Sequence, residues 1–203
     1  MDEKELAIIG EDKEYWWFKA KNELVKKLAF KYFKRSEYTL NAGCGTTNFT
    51  WCVNSNSRLE SLTYPKNHFS VVILADVLEH IEHREFVLDN LYRMIEKEGK
   101  LIITVPANNW LFNGHDKFLG HYLRYDKKTL LKELENAGFK KVSLRYWNSL
   151  LFTPICIRKL LNKEGSDLKK LPKWLNTLLY KVLKLEEIIS LPYGISLVGV
   201  FEK

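Results

Sequence analysis

The stretch Tyr38-Thr39-Leu40-Asn41-Ala42-Gly43-Cys44-Gly45-Thr46-Thr47 decides the fold. Residues 38–40 read as the end of a buried strand, and Gly43 and Gly45 let the backbone turn sharply behind it. Glycine tolerates positive φ and lets a ligand approach the main chain without a Cβ in the way. A strand that runs into a Gly-x-Gly turn is the usual opening of a nucleotide site in an α/β sheet. Taken alone, such a pair is most often an ordinary turn, so the chain around it has to carry the reading.

Outward from that turn, residues 69–75 (Phe-Ser-Val-Val-Ile-Leu-Ala) form a nearly continuous apolar run of strand length, as expected for a strand buried on both faces. Residues 101–105 predict a second buried strand, ended by Pro106, and residues 142–147 and 194–201 predict two more. Between them fall amphipathic helices over 85–98 (stopped by Gly99), from an Asp126 N-cap through 137 (Gly138 as C-cap), over 150–161 and over 174–189. An N-terminal helix is expected over 12–34, headed by Tyr15-Trp16-Trp17-Phe18. Between the glycine turn and the next landmark only residues 48–58 are available. Within them residues 49–53 have strand composition, but a parallel neighbour needs a crossover of about a dozen residues. That piece reads as a loop or as a strand paired in an unusual way. Residues 107–125 form a long loop, and its five aromatics argue that it is ordered.

Several phrases resemble the class I S-adenosylmethionine-dependent methyltransferases. Asn41 to Thr47 is similar to that family's first motif, with Asn41 in place of an acid and Thr47 in place of a third glycine. Asp76-Val77-Leu78-Glu79-His80-Ile81 resembles its phrase after the fourth strand. Gly120-His121 with Arg124-Tyr125, Trp147 to Phe152, and Leu191 to Leu197 resemble its later ones. The resemblance implies a Rossmann-like α/β fold: a mostly parallel sheet with helices on both faces, a last strand inserted antiparallel, and a region trimmed after the first strand. It implies one domain over 1–203, with a helical lid over 1–36, a core over 37–147, and C-terminal helices and the last strand over 148–203. It further implies S-adenosylmethionine as cofactor, met by Asn41, Gly43, Gly45 and Asp76, with Trp17 and Lys21 contributed by the lid. The family's ribose-binding acid has no evident counterpart here, and Arg58 stands near the place of its adenine-facing acid.

The chemistry expected is methyl transfer to a small-molecule or lipid-like acceptor. The alternative is a degenerate relative that keeps the scaffold as a binding or partner subunit. His115 and His121, on the long loop, are the candidate bases for a hydroxyl or amine; residues that merely fold the loop on itself are an equal alternative. His80 and His83 sit three apart, but no third ligand is spaced to help, so no metal is expected. Cys44 reads as packing rather than as a nucleophile.

The chain has 203 residues and a formal net charge of +7. Much of the excess lies in 157–184, where lysines and arginines outnumber Glu164 and Asp167. A solvated helix face explains this, and contact with anionic lipid is the sharper reading; a peripheral membrane contact through 150–189 and a homodimer are both open. Nucleic acid is the weakest partner, since the lysines are not interleaved with aromatics on a recognised platform. Cys44, Cys52 and Cys156 form no disulfide framework, and a cytoplasmic setting is expected.

Overall fold

The computed structural model describes residues 14–45, 49–161, 171–186 and 191–203. Its strands are β1 (Thr39–Ala42), β2 (Val53–Ser55), β3 (Phe69–Ala75), β4 (Ile95–Pro106), β5 (Lys140–Trp147) and β6 (Ser196–Glu202). They form one sheet in the order β2-β1-β3-β4-β6-β5. The pairs from β2 to β4 are parallel, and β6 is inserted antiparallel between β4 and β5. The carboxyl ends of β1, β3, β4 and β5 therefore share one edge, which is where open α/β sheets place their ligands.

The helices are α1 (Trp16–Phe30), α2 (Arg84–Met94), α3 (Gly114–Phe118), α4 (Lys127–Asn136), α5 (Phe152–Leu161) and α6 (Lys173–Leu185). Alternation along β3 assigns the layers. Val72 and Leu74 join Val87, Leu88, Leu91 and Met94 of α2 and Leu130 and Leu134 of α4. Val71 and Ile73 face the other way, onto Val25 and Ala29 of α1. Farther along that second face, Ala20 and Leu24 of α1 and Leu183 of α6 enclose Trp147 and Val198. Both faces of the sheet are thus covered, as its continuous apolar strands require.

Several expectations need correction. Residues 50–52 form a turn, and the strand after the glycine loop is Val53–Ser55, paired parallel to β1. Residues 43–52 make this crossover with no helix among the described ones. Side-chain bonds take the place of a helix: Asn54 Oδ1 accepts from the Phe49 amide at 3.0 Å, and Asn54 Nδ2 donates to the Phe49 carbonyl at 2.7 Å. Gly99 does not stop a helix. It lies inside β4, where an added Cβ would stand 3.1 Å from the Ser70 carbonyl oxygen of β3. Asp126 precedes α4 without a side-chain cap bond, although Gly138 does follow the helix, at a φ of +96°. The predicted ends at 12–13 and 187–189, together with Thr47, Lys163, Lys169 and Lys170, lie outside the described residues.

Gly43 and Gly45 both have positive φ, +68° and +53°, but for different surroundings. A Cβ on Gly43 would stand 2.8 Å from Val77 Cγ1, while one on Gly45 would meet nothing within 4 Å. The turn at Gly43 therefore serves packing against the segment after β3, and the open backbone is at Gly45. Left-handed backbone costs a non-glycine residue about 1–2 kcal/mol. Gly45→Ala should lose about that much in urea unfolding, and Gly43→Ala clearly more. Equal losses would show that the Val77 contact is without consequence.

Candidate functional site

The carboxyl edge of the sheet gathers most of the residues singled out in the sequence. Asn41, next to last in β1, is almost fully buried, and its side-chain amide donates to Asn54 Oδ1 of β2 at 3.0 Å. Gly43 and Cys44 both direct their amides onto the Ser55 carbonyl, at 2.8 and 3.2 Å. The Cys44 thiol donates to Asn56 Oδ1 at 2.9 Å, and Asn56 Nδ2 donates to the Gly45 carbonyl at 3.0 Å. Burial pushes the Cys44 thiol up from its ordinary pKa, which disfavours a thiolate and agrees with a packing role.

Asp76 comes directly after β3 with a φ of +53°, in reach of three elements. Its Oδ2 accepts from Lys21 Nζ of α1 at 2.6 Å, and its Oδ1 accepts from Thr104 Oγ1 of β4 at 2.8 Å. Burial works against its ionisation, but the Lys21 ammonium and the Thr104 hydroxyl outweigh it and hold the carboxyl below its ordinary value. Trp17 lies one turn before Lys21, over the end of β5, with its ring centroid 4.9 Å from that of Trp147. Helix α1 thus reaches the edge at two separate points.

His121 and His115 part company. His121 Nδ1 lies 3.0 Å from Asp116 Oδ1, and Arg124 grips the same fully buried carboxylate through Nε at 2.9 Å to each oxygen. This knot, with the Asn113–Asp116 capping box of α3, is what orders the long loop. His115 enters that cap through its backbone amide, which donates to Asn113 Oδ1. His121 instead meets His80, their rings edge to face at 4.6 Å, and Glu79 stands beside them. Glu79 is 1% exposed; burial first, and the Asp76 charge second, push its carboxyl well above the ordinary range. Burial and the neighbouring His121 push His80 down. His83 precedes α2 and takes no part in this group. Sequence spacing offers His80 no further ligand, because His121 reaches it only through the fold. Asn54, Asn56 and Thr104 also escape a reading of the sequence; polar residues at or beside strand ends are the available signal.

Among the described residues, four side chains near this edge have buried polar atoms with no hydrogen-bond partner: Trp16 Nε1, Glu79 Oε2, Trp147 Nε1, and both Nδ2 and Oδ1 of Asn148. Native structures rarely leave such groups unsatisfied. The methionine and ribose ends of S-adenosylmethionine would find a neutral set here: Asn41, the open backbone at Gly45, and Asn56. The open backbone at Gly45 leaves room for that group to approach the main chain, with an amide at Asn41 where the family has an acid.

Similarity to known proteins agrees with this architecture. Residues 52–144, from the turn before β2 into β5, match a family described as a methyltransferase domain. The ubiquinone/menaquinone biosynthesis C-methyltransferase of Ectopseudomonas mendocina (strain ymp) is 26% identical over 89 residues, which cover 42% of this chain and 35% of that protein. The chain thus matches only about a third of that relative's length. Among solved structures, a SAM-dependent methyltransferase from Archaeoglobus fulgidus superposes with a TM-score of 0.51 at 16% identity, covering 89% of this chain and 94% of that one. Phosphoethanolamine N-methyltransferase 2 of Haemonchus contortus, in complex with S-adenosyl-L-methionine, gives 0.55 at 13%, covering 89% and 52%. At these identities the structures speak for the fold. Motif phrases, strand order and matched segment agree, and the chain is similar to the class I S-adenosylmethionine-dependent methyltransferases, with the sequence match over residues 52–144 and the likeness of fold over most of its length.

Proposed function

We propose that this protein transfers a methyl group from S-adenosylmethionine to a small, lipid-like acceptor. The observation that carries the reading is the row of unpartnered buried polar atoms along the carboxyl edge, since each would cost about 1–3 kcal/mol unless a ligand satisfied it. The sulfonium brings an activated methyl, so the protein's task is chiefly in-line positioning. Asn41, Gly45 and Asn56 hold the cofactor. Lys21, paired to Asp76, pins the lid helix across the site. Of the two candidate histidines we assign a part in the ionisation of the acceptor to His121, which stands by Glu79 and His80, and not to His115. Three cysteines outside any disulfide fit a reducing, cytoplasmic setting.

The rim speaks to the acceptor class. Trp110, Phe118, Tyr122, Leu150 and Tyr193 are exposed apolar residues in the segments that meet at the same edge. Quinone-pathway methyltransferases are among the relatives, which supports an apolar acceptor. The exposed stripe of Trp174, Leu178 and Leu185 on α6, with Lys173 and Lys181 also exposed, supports peripheral contact with anionic membrane. The rival reading, a partner subunit without cofactor, draws on one observation: the glycine turn is lined by the amides of Asn41, Asn54 and Asn56, and Asn41 stands where the family has an acid.

Calorimetric titration separates the two. We expect S-adenosylmethionine or its demethylated product to bind in the micromolar range, weakened by the missing charges at about tenfold per 1.4 kcal/mol. No heat at millimolar ligand would overturn the enzyme reading. Lys21→Met leaves Asp76 without its counter-ion. It should lower stability in urea by about 2 kcal/mol, less than a fully buried pair would lose, and weaken cofactor binding as the lid loosens. Wild-type stability in that variant would mean that the ion pair does not hold α1. Co-sedimentation with anionic vesicles should fall with salt and with Lys181→Glu, because each lysine near the surface contributes about 1 kcal/mol. Binding that ignores both would place the contact elsewhere.

A further inference from the structure

Glu79, His80 and His121 are the one group among the described residues whose side chains are arranged to share a metal ion, with one ligand atom from each lying within 4.8 Å of the others. Each is held in place from behind. The Tyr122 amide donates to the Glu79 carbonyl at 2.8 Å, which locks the turn after β3 to the loop that carries His121. Asp116 takes the Nδ1 side of His121 and leaves Nε2 as that ring's remaining donor. The His80 ring packs edge to face on that of His121, with centroids 4.6 Å apart, which fixes its place beside the second imidazole. A carboxylate or carbonyl on the far nitrogen is the usual support of a metal-binding histidine. Glu79 Oε2 adds an independent sign: it is buried and has no hydrogen-bond partner.

We propose that these three side chains hold a divalent cation of the zinc class, with a coordination position left for an oxygen of the acceptor. Two imidazoles and one carboxylate suit such ions, and three protein ligands with an open position mark a site that works on a substrate rather than one that braces the fold. Ligand atoms around a tetrahedral ion at about 2.0–2.1 Å stand roughly 3.3 Å apart, so small rotations of the side chains complete the shell. The role in catalysis rests on the methyl-transfer reading above and deepens it. His121 acts on the acceptor's proton through the ion instead of accepting it. The coordinated hydroxyl loses its proton to solvent, and its oxygen attacks the methyl carbon. The carbon–sulfur bond breaks with its electron pair left on sulfur, which becomes a neutral thioether. Bound water shows the same acidification.

The test uses the full chain, stripped with a chelator and titrated with Zn²⁺ alone, so its outcome is separate from that of cofactor binding. One ion per chain is expected. Glu79→Gln, which keeps the shape of the side chain, and His121→Ala should each weaken binding at least about tenfold. His83→Ala and His68→Ala, outside the cluster, should leave it unchanged. Substitution with Co²⁺ should give a visible spectrum of a nitrogen–oxygen site that Glu79→Gln alters, with near-ultraviolet circular dichroism reporting that the variant is folded. No stoichiometric binding by the wild type would overturn the proposal, and so would equal affinity in folded Glu79→Gln.

Discussion

The contact between Lys21 and Asp76 is the constraint on which the working edge depends. Asp76 takes a left-handed backbone conformation and a largely buried carboxylate, both unfavourable alone. It persists because α1 supplies an ammonium and β4 supplies a hydroxyl from opposite sides. Three elements distant in sequence thereby meet at one side chain. The same residue sets the course of the chain beyond it: Val77 packs against Gly43, and the next turn delivers Glu79 and His80 to the loop carrying His121. Helix α1, the glycine turn and the histidine group are one mechanical unit.

A second consequence concerns charge. A carboxylate in place of Asn41 would face Asn54 Oδ1, an acceptor whose orientation is fixed by bonds to both the amide and the carbonyl of Phe49. The shortened crossover and the neutral first motif therefore go together. Asn54 does the work of a missing helix by stitching 49–54, and in that position it needs a donor from β1, which an amide provides and an acid does not.

How much of the molecule is legible in the sequence depends on how local each signal is. The strand over 69–75, the phrase from Asp76 to Ile81, and the pairing of the last strand all rest on contiguous residues, and the structure has them at the expected places. Helix ends are legible only to within a turn or so, because residues 95–98 carry helix-forming side chains but are drawn into β4 beside β3. The pairing of β2 is hidden because side-chain hydrogen bonds, not hydrophobic period, hold its crossover. His121 can be suspected as reactive, but its approach to His80 is set by Asp116 and Arg124, and a buried ion pair inside a loop leaves no periodic trace.

The place of β6 has a bearing on how the molecule assembles. Residues 196–202 come after β5 in the chain, yet they lie between β4 and β5 and supply every hydrogen bond that joins those two strands to one sheet. Until they are made and docked, β4 and β5 each present an open edge, the surface on which chains misassociate. Parallel pairing of β1, β3 and β4 can proceed earlier, so synthesis leaves a half-sheet waiting for its keystone. The aromatic contact of Trp17 with Trp147 and the docking of α6 on α1 give the early part a partial cover. The order of synthesis and the order of the sheet are thus out of step, and the far wall of the site cannot close before the last strand is made.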